Sequence, residues 1–192
     1  MSTAGTLYDE ALRNGMLVLL ATNVASNSAS LNFTDLGGPY SGYLFDLDTL
    51  KPNVNSNLIL CVSGDNGATF KTTDYNYQGT LYLYSAGAAP GYAFYGGNGQ
   101  GGGWLTNFYL ALSVDGNGVS GRVRSCGLSP NHRQWLWDTE CYVGSQGTQT
   151  LIGAGFYGPS MTINAVRFAF DGGNIASGAI RLYGLRTGDL VS

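Results

Sequence analysis

From residue 15 onward the hydrophobic pattern repeats every second position. Near the C-terminus Val166, Phe168 and Phe170 alternate with Ala165, Arg167 and Ala169. The turn-rich run Asp171-Gly172-Gly173-Asn174 follows, and then Ile180 and Leu182 alternate with Arg181 and Tyr183. Such alternation is the mark of a half-buried antiparallel strand. It recurs over 105–114, where Phe108, Leu110, Leu112 and Val114 face one way and Tyr109, Ala111 and Ser113 the other. Asp115-Gly116-Asn117-Gly118 turns that strand back as a hairpin, because Asp-Gly and Asn-Gly supply positive φ.

The same reading predicts strands over 16–22, 29–34, 42–47, 57–63, 80–84, 92–95, 105–114, 119–124, 134–142, 150–156, 162–170 and 179–185. No segment carries a sustained apolar stripe at 3.6 residues, and no fixed-period repeat marks a propeller or solenoid. Many short strands separated by Gly, Asn, Asp, Ser and Pro point to an all-β fold. The expected architecture is an antiparallel two-sheet sandwich of jelly-roll type over residues 15–192. Residues 1–14 read as a short N-terminal arm, with Tyr8 and Leu12 as its docking side chains.

A chain of 192 residues suits one well-buried core. Only 9 Lys and Arg and 12 Asp and Glu are present, against 30 glycines. Ser, Thr, Asn, Tyr and backbone must therefore supply much of the polar surface, which suits a protein packed in an assembly. A net charge of −3 argues against nucleic-acid binding, which needs a basic footprint. The opening residues lack a basic start and apolar core, and 16–21 is too short to span a bilayer. The expectation is a chain made in a cytoplasm that stays soluble, with no membrane partner.

Candidate chemistry is sparse. The lone His132 sits in the loop signal Ser129-Pro130-Asn131-His132-Arg133 and reads as a solvated loop residue. Asp138 and Glu140 share one face of a strand, as do Asp46 and Asp48. Glycosidase pairs normally stand on opposing elements, so these read as a solvated face. Gly97-Asn98-Gly99-Gln100-Gly101-Gly102 matches the dinucleotide fingerprint only formally, since the fingerprint needs a helix after it; it reads as a loop. Asp65-Asn66-Gly67 reads as a turn, because a calcium loop needs more acids. Cys61, Cys126 and Cys141 match no zinc or redox spacing. Cys61 reads as core and the thiols as reduced, with a Cys126–Cys141 pair left open. No catalytic residue, metal or cofactor is expected.

Aromatics are the surplus, with 13 Tyr, 8 Phe and 3 Trp. Tyr92, Phe94, Tyr95 and Trp104 form one cluster in the sequence, and Trp135, Trp137 and Tyr142 another. Each suits either core packing or an interface or sugar contact. Phe70, Tyr75 and Tyr77 suit a similar surface.

Arg167 to Phe170, Gly173-Asn174-Ile175-Ala176-Ser177-Gly178 and Leu182-Tyr183-Gly184 together resemble a recurrent ending of β-sandwich modules in structural proteins of tailed bacteriophages. The run from Val62 to Phe70, and the strand Tyr43 to Leu47 followed by Pro52, are similar to the same modules. The resemblance covers most of the chain from about Ser26. One departure is Asp171-Gly172, where small serines are expected. The resemblance implies a virion component without enzymatic activity: a capsid decoration (cement) or head-fibre protein, or a tail-fibre domain. It implies a homo-oligomer, with a trimer favoured, and the major capsid protein or other virion proteins as partners. The lack of a repeated shaft leans toward decoration. The alternatives are a tail-fibre carbohydrate-binding module for a host surface glycan, and a glycan hydrolase using Asp138 or Glu140.

Overall fold

Apolar residues on one phase of each strand bury against the opposite sheet, while Gly, Asn and Asp turn the chain between strands. The computed structural model describes residues 16–84, 91–100, 103–104, 118–125, 128, 134–143 and 147–186. Among these residues the strands are β1 (Leu17–Ser28), β2 (Leu31–Phe33), β3 (Gly42–Pro52), β4 (Leu58–Ser63), β5 (Tyr75–Tyr84) and β6 (Gly91–Gln100). They continue with β7 (Gly103–Trp104), β8 (Val119–Ser125), β9 (Gln134–Val143), β10 (Gly147–Tyr157), β11 (Ala165–Phe170) and β12 (Ile175–Leu185). One sheet has the order β1-β12-β3-β8-β9-β10-β5-β6, and the other β2-β11-β4-β7. Every described pairing is antiparallel. The protein is thus all-β, with a large and a small antiparallel sheet.

The core lies where the small sheet covers the large one. Phe45 of β3 meets Phe33 of β2 at 5.3 Å and Phe168 of β11 at 5.1 Å between ring centroids. Trp135 of β9 closes the group, 6.4 Å from Phe45. Rings at these distances and tilts gain about 0.5–1.5 kcal/mol per pair beyond their buried area. In β3 the register against β8 slips between Leu47 and Leu50. Thr49 takes φ 54° there, so Leu47 and Leu50 both turn inward and are buried. A bulge of this kind inserts an extra residue and bends the strand.

Polar side chains tie the loops at both ends. At one end Asn174 donates its backbone N–H to Asn53 Oδ1 at 2.8 Å and its side-chain amide to the Asn27 carbonyl at 3.1 Å. The neighbouring Asp171 carboxylate accepts from Asn57 N at 2.8 Å and Asn57 Nδ2 at 2.9 Å. The departure from the expected serine thus clamps the β11–β12 turn to the start of β4. At the other end Asn66 donates Nδ2 to Asp35 at 2.7 Å and accepts from Asp35 N at 2.7 Å. Asn66 also donates its backbone N–H to Asn164 Oδ1 at 2.8 Å.

The strands expected at 42–47, 57–63, 119–124, 134–142 and 179–185 fall within β3, β4, β8, β9 and β12, give or take an end residue. One expectation is corrected. The glycine run at 97–100 is not a loop but the second half of β6, with Gly97 opposite Tyr77 and Gln100 opposite Tyr75. Glycine marks a turn by composition, yet it also lets an edge strand lie close: a Cβ at Gly96 would meet the Tyr77 carbonyl oxygen at 2.9 Å. The segment 105–114, the arm with Tyr8 and Leu12, His132 and Cys126 lie outside the described residues.

Candidate functional site

The alternation of each strand gives the large sheet one face toward the small sheet and one open face. In β9 Trp135, Trp137, Thr139 and Cys141 are buried, whereas Leu136, Asp138, Glu140 and Tyr142 are exposed. Trp135 and Trp137, read as candidate contacts, are therefore packed inside this chain. Tyr75 and Tyr77, read as surface aromatics, are buried as well. Tyr75 bonds inward: Val62 N donates to its hydroxyl at 2.7 Å, and the hydroxyl donates to the Lys71 carbonyl at 3.0 Å. Phe70 lies beneath Arg167, whose guanidinium carbon is 3.9 Å from the ring centroid. Phe94 is 80 % exposed on the open face. The side chains of Tyr92, Tyr95 and Trp104 lie outside the described part of β6 and β7. Cys61 and Cys141 are both buried and free. Burial pushes the Cys141 thiol up to about 12 and the Cys61 thiol upward as well.

The open face divides into two halves. Across β12, β3, β8 and β9 one row runs Arg181, Asp46, Arg122, Asp138 in register. Arg181 reaches Asp48 at 3.0 Å and Asp46 at 3.5 Å. Burial raises the Asp138 carboxyl, and the Arg122 charge pulls it back down. The carboxylates of Asp46, Asp48 and Asp138 do line a common depression, but Arg122 and Arg181 line it with them. Opposite charges in register on neighbouring strands are what cross-strand pairing uses to stabilise a sheet.

Beyond Asp138 the charges stop. On β10, β5 and β6 the same face carries Ile152, Phe156, Tyr82 and Phe94, with Leu136 of β9 beside them, all well exposed. Between these rims lie Ala154 and Gly96, with the amides of Asn76, Gln78 and Gln134. Of this group only Phe94 stands among the aromatics singled out in the sequence. The signal for the rest was a second apolar phase: in Leu151-Ile152-Gly153-Ala154-Gly155-Phe156 large residues occupy both faces, with glycines between.

At the opposite edge β1 pairs with β12 on one side and with no described strand on the other. Leu19 is 54 % exposed there and Val24 70 %, with Leu20 also outward. The register against β12 slips between Leu19 and Ala21.

Comparison with protein-family models, with curated proteins and with solved structures gives no match to this chain.

Proposed function

We propose that this chain is a non-enzymatic structural protein of a bacteriophage particle, a capsid decoration or head-fibre protein that docks on the capsid surface. The observation that carries the proposal is the β1 edge. A twelve-residue edge strand with Leu19, Leu20 and Val24 turned outward is a template for pairing with another chain. Scarce charge on the whole molecule suits the same use. The closing segment that resembles phage modules is β11 and β12, one strand inside each sheet and joined across the sandwich.

The winding proposed is a jelly roll. Strand order supports it: β1-β12-β3-β8 lies in one sheet and β2-β11-β4-β7 in the other, which is the order that two Greek keys folded together produce. The remaining strands, β9-β10 and β5-β6, then extend the first sheet. In this reading homotrimers sit on the capsid lattice, with residues 1–14 and β1 against the major capsid protein, after assembly in the host cytoplasm.

The test is co-sedimentation with empty capsids. Leu20→Lys and Val24→Lys together should weaken capsid binding by roughly tenfold or more, since charges at a desolvated contact are costly, while leaving thermal unfolding nearly unchanged at these exposed sites. A protein that stays monomeric at high concentration and ignores capsids ends the proposal. The exposure of Phe94 and the uncharged half of the open face favour a second reading, a tail-fibre adhesion module.

A further inference from the structure

We propose that the uncharged half of the open face is a binding cleft for a neutral oligosaccharide. The proposal stands on the cleft alone and holds whether the protein rides on the capsid or the tail.

The geometry is set by the register of four strands. Phe156 of β10 lies opposite Gln134 of β9 and opposite Asn76 of β5. Ala154 lies between Leu136 and Gln78, and Gln78 is followed by Gly96 of β6. An exposed ring is thus flanked on both sides by amides, and small residues floor the space beside it. The cleft has a volume of about 520 Å³, within the range of small-ligand sites. It continues past Gln78 toward Ile152 and Phe94. Phe156 and Ile152 are four residues apart on one strand, about 13 Å, a span for a short oligomer and not for a single ring.

The chemistry selects the ligand class. Each amide offers both donors and an acceptor, as a sugar hydroxyl needs. The amides of Asn76, Gln78 and Gln134 have no hydrogen-bond partner among the described residues. Phe156, 46 % exposed, offers a flat apolar face to the C–H side of a pyranose. Trp135 also lines the cleft, and its buried indole N–H has no acceptor among the described residues. Among the described residues none that lines the cleft is charged, so the lining favours a neutral sugar over an acidic sugar or a phosphate. At the β8 rim Arg124 stands across from Leu136 and Arg122 across from Asp138, so the charges nearest the cleft are of both signs and lie outside its lining. Polar amides around the ring also distinguish the site from the apolar centre of a protein interface.

The experiment is an array of neutral and acidic glycans, followed by titration of the full chain with cellohexaose, maltohexaose, chitohexaose and hexagalacturonate. At least one neutral glycan should bind in the millimolar range, strengthened on a particle by many copies. Phe156→Ala should weaken it about tenfold, the scale of a lost aromatic contact, and Gln78→Ala several-fold, with unfolding transitions unchanged. Leu20→Lys with Val24→Lys should leave it unaltered, and Phe156→Ala should still sediment with capsids, so the two proposals fail separately. Absence of any neutral binder, preference for the acidic hexamer, binding that survives Phe156→Ala, or a Phe156→Ala effect on self-association alone each overturns the inference.

Discussion

Trp137 lies against its register partner so closely that only glycine fits there. A Cβ on Gly153 would stand 2.5 Å from two atoms of the indole ring. Gly153→Ala should therefore push a buried Trp off its seat and cost about 1–3 kcal/mol, the usual penalty of overpacking, measured by urea unfolding. The same strand explains an alkaline limit. The Cys141 thiol is raised from 9.0 to about 12 by burial, with Glu140 adding to it. The folded state therefore keeps a proton that the unfolded chain releases above pH 9, and stability falls between about pH 9 and 12. Cys141→Ala should flatten that decline in urea midpoints taken from pH 8 to 11, and the native thiol should resist modification at pH 8. Residue by residue, the sequence announced the alternation in β9 but not its phase. Trp135, Trp137 and Cys141 on one side, and Leu136 and Tyr142 on the other, are both apolar enough to face a core. Burying the two indoles removes more surface from water than burying Leu136, and that difference emerges only once both sheets are present.

Strands were legible where β-branched and aromatic residues alternate with polar ones, as in β3, β8 and β12. They were illegible where glycine dominates. The first half of β5, Tyr75-Asn76-Tyr77-Gln78-Gly79, lies between β10 and the second half of β6, and these segments are strands chiefly because of the neighbours they pair with. The bulge in β3 was equally hidden, since it is made by neighbours. Thr49 occupies the left-handed region with φ 54°, a position that costs a β-branched residue about 1–2 kcal/mol. Gly178 on β12 lies across from it with φ 116°, and a Cβ there would be 2.4 Å from the Thr49 carbonyl oxygen. The two sites should respond with opposite signs. Gly178→Ala should destabilise by about 1–3 kcal/mol through strain and collision, whereas Thr49→Gly should be neutral or stabilising by up to about 1 kcal/mol. Denaturant midpoints of the pair decide whether the bulge is built as described.

At the scale of the molecule the first and last described strands are neighbours, with Leu17 opposite Leu185. Such pairing of distant segments makes loop closure the slow part of folding. An all-β chain of short strands was evident in the spacing of turns, but which strand lies beside which was not. Sheet order depends on long-range contacts such as Phe45 with Phe33 and Phe168, and no local pattern encodes those. The asymmetry of the sheets was hidden for the same reason: β9, β10, β5 and β6 join the large sheet through edges that any strand can offer. The candidate cleft was illegible twice over, because its residues come from four strands and its ring, Phe156, reads locally as core. The loop ties carry a consequence on a longer clock. Asn66 precedes Gly67, the neighbour that least hinders attack of the backbone on a side-chain amide, and its amide nitrogen is the group bonded to the Asp35 carboxylate. Deamidation in stored protein would exchange that donor for a second negative charge facing the first, so chemical ageing would open the link between the β2–β3 and β4–β5 loops from within.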